Sequence, residues 1–249
     1  ASIGQATGTT DEILELLSGA IEASDAFLKQ NPKDLQARIL RALAELNLAA
    51  SYNDSDEYDQ ALTHAASAVK QLVELGQRAP GHPMIGPNIQ LAYYTRAAAL
   101  EKLERLDDSI EAWRKTAATS GRGSQLETSM RLAAALACNG QLEESLELLA
   151  SNDELQTFPR DRKGLFHLAR ARAAVVKSWI NHEHEDEDQI EQMAIAAVND
   201  LERAQEAGMF RNSTALDEAL DSPAFDIIKK RDDFRIWLHQ LQAEQNADK

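Results

Sequence analysis

The chain has one cysteine, Cys138, so no internal disulfide can support it. Aromatic residues make up only 5 % of the 249, and glycine (11) and proline (6) are scarce and clustered, which leaves long stretches without a break. No apolar run is long enough to span a membrane, and no signal peptide is visible. Basic residues are outnumbered 26 to 41, for a net charge of −15. A nucleic-acid partner needs a basic footprint that displaces counterions from phosphates, and an anionic membrane surface needs the same sign, so direct contact with either is not expected. Hydrophobic residues at 43 % are enough for a sizeable core. They are mostly Ala and Leu, the best helix formers, and an all-α protein is expected.

Residues 1–10 are small and polar and are expected to be disordered, and 243–249 to fray. Apolar residues at helical spacing predict a first helix from about Asp11 to Asn31-Pro32, then helices over about Lys33–Tyr52 and Glu57–Leu75. With three Pro and three Gly, residues 76–88 read as a loop. Further helices are expected at about Ile89–Leu103, Leu106–Ala118, Gln125–Cys138, Leu142–Ala150, Asp161–Ile180 and Gln189–Ala207. Short helices follow to a last one near Asp232–Leu241. Cys138 lies in an apolar run and reads as a packed small residue.

Three second-helix starts align: Asp56 to Leu62, Arg105 to Ile110, and Gln141 to Leu146. Each reads polar, apolar anchor, two polar, small, apolar. Ala49, Ala97 and Ala133 stand twelve residues before the small residue, and Tyr52, Leu100 and Leu136 nine before it. These residues resemble the tetratricopeptide repeat. Tyr93, Ala97, Leu100, Ser109, Trp113 and Thr116 occupy six positions of its pattern, with Ala49, Tyr52, Ala61, Ala65 and Ala68 before them. Leu132, Ala133, Leu136, Ser145 and Leu149 come after. The first helix resembles the second half of a hairpin, and Ala197, Leu201 and Ala204 a last, looser one. The small residues at 61, 109 and 145 are 48 and 36 apart, where a regular array repeats at about 34. An irregular superhelix of antiparallel hairpins is therefore expected, as one domain over 11–242. Its hairpins fall at about 33–75, 89–118, 125–150 and 161–207, with a capping segment over 208–242. That segment carries Ser222-Pro223-Ala224-Phe225 and Arg231-Asp232-Asp233-Phe234. It resembles the tetratricopeptide tails of bacterial serine/threonine protein kinases, although the Gly-rich and His-Arg-Asp loops of a kinase are absent.

The resemblance implies a module that binds a protein or peptide on its concave face, lined by the first helices of the hairpins. The facing residues by this alignment are Asn47, Tyr94, Thr95, Ala98, Lys102, Met130, Arg131, Ala134, His167 and Arg170. Alanine there leaves room for a ligand backbone, Tyr94 and Met130 grip an apolar side chain, and Arg131 a carboxylate. The carboxylate clamp of chaperone-binding members is not reproduced, because Leu46, Ala50, Tyr94 and Ala98 stand at its positions. The alternative function is a structural or sensory tail of a receptor-like kinase that self-associates; an enzyme with a site assembled from distant residues is a remote third. No catalytic residue and no cofactor is expected. His182 and His184, in the acidic run 182–188, are weak metal candidates, because residues two apart point to different sides of a helix. The partner is unknown. The lone cysteine and missing signal favour the cytoplasm, and a start at Ala1 rather than Met suggests a piece of something longer.

Overall fold

The computed structural model describes residues 10–119, 121, 125–151, 161–210, 216 and 221–247. Of residues 1–10, expected to be disordered, 1–9 lie outside them and Thr10 begins a helix; residues 152–160, between the helices expected at Leu142–Ala150 and Asp161–Ile180, also lie outside. The described residues are helical, without a strand. They form two compact units, Ala1–Thr119 and Ser120–Lys249, and no described helix is long and apolar enough to cross a membrane.

The first unit holds α1 (Thr10–Gln30), α2 (Leu35–Asp54), α3 (Tyr58–Arg78), α4 (Ile85–Lys102) and α5 (Leu106–Thr119). Its core joins Ile39, Ala42 and Leu46 of α2, Ala68, Leu72 and Leu75 of α3, and Ile85 and Ala92 of α4. The second unit holds α6 (Gln125–Cys138), α7 (Leu142–Ser151), α8 (Arg162–Asn181) and α9 (Glu187–Glu206). Two 3₁₀ turns, Pro223–Asp226 and Ile228–Lys230, then lead to α10 (Asp232–Ala247). Met130, Leu149, Leu168 and Trp179 form one core between α6, α7 and α8. Phe225, Ile228, Phe234, Trp237 and Leu241 close a second over α8 and α9. This is the expected cap, and Arg231 ties it down with a forked ion pair to Glu191 of α9 (2.6 and 2.9 Å).

The hairpins share one turn. Asp56, Glu104, Gly140 and Glu183 all have positive φ (60°, 58°, 77° and 53°). In each case the next N–H reaches back five residues at 2.9 Å: Glu57 to the Tyr52 carbonyl, Arg105 to Leu100, Gln141 to Leu136, and His184 to Trp179. This is the Schellman closure of a helix C-terminus, in which a left-handed residue lets the chain reverse and satisfies an orphan carbonyl. Small residues then let the second helix approach the first. The Ser109 hydroxyl donates to the Ala97 carbonyl (3.2 Å) and the Ser145 hydroxyl to that of Ala133 (2.8 Å), with all four residues buried. Ala49 and Ala61, the matching pair of the earlier hairpin, are fully buried.

A left-handed conformation costs an L-residue about 1 kcal/mol or more and glycine almost nothing. A Cβ at Gly140 would meet nothing within 4 Å. Gly140→Ala is thus expected to destabilise by about 1 kcal/mol and Glu104→Gly to stabilise by a similar amount, in chemical denaturation followed by circular dichroism.

Several boundaries differ from the sequence reading. α3 runs on to Arg78 and α4 begins at Ile85, so the expected loop 76–88 shrinks to its middle. Gly76 fits inside α3 because a Cβ there would lie 3.3 Å from Ile89 and 3.5 Å from Ile85, where α4 comes close. Pro87 is tolerated in the first turn of α4, where a missing N–H leaves no intrahelical bond unmade. α10 continues past Leu241 into the stretch expected to fray, because Gln245 donates to the Phe210 carbonyl (2.8 Å) and Glu244 accepts from Gln205 (2.7 Å). Cys138, expected among packed residues, is exposed at the end of α6.

Candidate functional site

In each unit the first helices of successive hairpins lie side by side, and the predicted binding residues fall along them. In the first unit these helices are α2 and α4, bridged by Asn53, whose side-chain amide donates to the Thr95 carbonyl (3.0 Å). Asn47 of α2 and Lys102 of α4 are exposed, and the Lys102 ammonium lies 6.0 Å from the centre of the Tyr58 ring. Burial, with a hydrogen bond to Asp56, pushes the Tyr58 phenol up to about 12, so the ring beneath Lys102 stays neutral. Tyr94 and Ala98 are half-buried, Tyr94 standing edge-on to Trp113 with centroids 5.2 Å apart. Thr95 is buried, its hydroxyl donated to the Leu91 carbonyl (2.9 Å), and is closed to a partner.

In the second unit α6 and α8 pack directly. Met130 and Ala134 are buried in the core that also holds Ala171, Ala174 and Val175 of α8. The expectation that Met130 grips a partner and that Ala134 gives it room is therefore corrected: both fill the seam between neighbouring first helices. What lies beside that seam is charged. Half-buried Arg131 pairs with Glu127 (3.4 Å), and Glu127 stands 4.0 Å from the Nε2 of His167. Arg170 is half-buried one turn further along α8. Sequence reasoning missed Glu127, although its spacing of four from Arg131 is a readable signal, and Asn53, which lies just past the helix expected over Lys33–Tyr52 and inside the observed α2.

His167 is only 5 % exposed. Burial first, then the positive charges of Arg131 and Lys163, hold its imidazole well below the usual 6.5. Both folded and unfolded chains carry it neutral above that value. Below it the unfolded chain takes up a proton that the folded one refuses, so stability falls as pH drops. The second unit is expected to lose up to about 1.4 kcal/mol per pH unit below 6.5 through this residue. The difference between wild type and His167→Phe in denaturant titrations from pH 7 to 5 checks it.

The metal candidates are used to close a helix. The His182 ring meets the Ser178 carbonyl (2.8 Å), and His184 stacks on Trp179 with centroids 4.9 Å apart. Among the described residues no three His, Cys, Asp or Glu are placed to hold a metal ion.

The fold has solved counterparts. The chain is similar to the crystal structure of BtubC (BKLC) from P. vanneervenii, at 14 % identity and TM-score 0.56, over 96 % of this chain and 93 % of that one. It is also similar to the crystal structure of MamA, at 16 % identity and TM-score 0.44, over 82 % of this chain and 96 % of that one. No family model and no curated protein matches it. The likeness to BtubC is one of fold, the all-α, tetratricopeptide-like arrangement described above.

Proposed function

We propose that the chain is a protein-interaction module, with no catalytic role, whose units each present the face of their first helices to a protein or peptide partner. The observation that carries this reading is the contrast along those helices. One edge is spent on packing, as Met130, Ala134 and Thr95 show, while the adjacent edge keeps Asn47, Tyr94, Ala98 and Lys102 in one unit and Arg131 and Arg170 in the other at the surface. Polar and aromatic groups on a rigid helical frame suit an extended or helical segment better than a small molecule. Two open clefts of about 420 Å³ lie elsewhere, around α1.

The test uses exposed positions, so that the fold is preserved. Asn47→Glu with Lys102→Glu is expected to weaken partner binding about tenfold or more at unchanged helicity and melting temperature. Unchanged affinity would reject the face. A second reading, a tail appended to a bacterial serine/threonine kinase, is favoured by the cap. There Phe225 and Phe234 are both buried and Arg231 bridges to α9, in keeping with the resemblance of those segments.

A further inference from the structure

α1 is a 21-residue helix with no buried residue, whereas α2 to α5 each bury several. It packs chiefly on α2. Leu14, Leu17, Ile21 and Leu28 form its half-buried stripe, and Leu16 and Phe27 are exposed. The side of α2 that it covers is marked by Arg41, whose guanidinium donates to Asp25 of α1 (2.5 Å). Ala37, Ala44 and Leu48 share that side of α2 with Arg41, at spacings of four, three and four. Ala44 and Leu48 are buried there, yet lie outside the core that α2 makes with α3 and α4. Open clefts of about 420 Å³ flank α1 on both sides, one along Asp25 and Leu28, the other along Ala23 and Phe27.

Release of α1 strands no charge of this network. The Asp25 side chain is already partly in water, and Arg41 keeps Glu45 (3.4 Å). The buried Glu45 carboxylate keeps His64 as well, whose Nδ1 lies 2.7 Å away. α2 also starts without help from α1. Its N-cap is Asp34, which accepts from the Ala37 N–H (2.8 Å), and Arg38 donates to the Pro32 carbonyl from two nitrogens (2.9 and 2.6 Å). In a stack where each helix is held mainly by its neighbours, an edge helix with few buried contacts opens at a lower free energy than the rest. α10, at the edge of the second unit, is fastened differently, by buried Phe234, Trp237 and Leu241 and by the bridge from Arg231 to Glu191. We propose that α1 is a strap over α2, latched by Asp25 and Arg41, that opens as one unit while α2 to α5 stay folded. Opening bares Ala44 and Leu48 beside the exposed Asn47 and so widens the surface that α2 presents. The strap holds whether or not α2 receives a partner.

Native-state hydrogen exchange of the whole chain, read by mass spectrometry on peptides from each helix, tests it. The α1 peptides are expected to exchange about 100-fold or more faster than those of α3 and α4, yet well below the rate of an unfolded chain. Leu17→Ala, in the half-buried stripe, should speed exchange of α1 about tenfold. Asp25→Asn, which removes the charge at nearly the same shape, should speed it about two- to fivefold. Neither should change α3 or α4. Protection of α1 equal to that of α3 overturns the proposal, as does a rise through every helix of the unit on Leu17→Ala. Exchange of α1 at the unfolded rate overturns it too, since a helix that never closes masks nothing. Exchange indifferent to Asp25→Asn overturns the latch.

Discussion

Trp113→Ala is expected to cost the first unit about 3–5 kcal/mol, the usual range for emptying a buried aromatic site. Trp113 is 0 % exposed. It stands on the face of α5 that turns toward α4, four residues after Ser109, whose hydroxyl reaches the Ala97 carbonyl, and Tyr94 packs edge-on against it. The helices on either side are tied to each other through the Ser109 contact and the turn at Glu104, so they cannot collapse freely into the space left behind. The loss should therefore lie toward the upper end of the range. Trp113→Phe retains the aromatic contact with Tyr94 and should cost less than half as much. Urea unfolding of the two variants, followed by circular dichroism, measures both. Equal losses would show that Tyr94 and Trp113 are not coupled as described.

Asp200→Ala should be nearly as damaging, at about 3–5 kcal/mol. The Asp200 carboxylate is 1 % exposed and accepts from Arg172 of α8 (2.7 Å) and Arg203 of α9 (2.9 Å). It lies three residues beyond Ala197 and four before Ala204, on the stripe where α9 meets its neighbours, so the ion pair is set into the seam between α8 and α9. Removing the acid takes a close carboxylate from the Arg172 guanidinium, which is largely withdrawn from water, while Arg203 can turn outward. Most of the penalty is thus the weakened compensation of a largely buried positive charge. The double variant Asp200→Ala/Arg172→Met, without that charge and with a side chain able to fill the gap, should recover more than half of it. A double variant no more stable than the single one would mean that the carboxylate acts through something other than Arg172.

The residues that place the helices side by side were legible in the sequence. Ala97 and Ser109, and Ala133 and Ser145, stand twelve apart in the chain, and each serine meets its alanine across the hairpin. The turn between them was not. Its left-handed residue is Gly only at 140; at 56, 104 and 183 it is Asp or Glu, which carry no glycine-like signal, and the shared geometry shows only in φ and in the reach of the next N–H. Along the proposed face, exposure changes within a single residue of register. Met130 and Arg131 are neighbours, yet one is buried against α8 and the other half-exposed beside Glu127. Repeat alignment assigns both to the same side of the helix. Which of them reaches solvent depends on how closely α6 and α8 approach, and that is set by Ala171 and Ala174 on another helix. Asp200 was hidden for a related reason: a charged residue on an apolar stripe declares itself only when its two arginines are seen to converge.

The central claim is that partners are received on the first helices and not on the second. Site-specific photo-crosslinking tests it most directly, with the reactive residue placed in turn at Asn47, Lys102 and Arg131, and at Gln60, Glu111 and Glu147, which are exposed on α3, α5 and α7. The account predicts one discrete partner adduct from the first set and none from the second. Adducts of equal yield from both sets, or from the second alone, would contradict it.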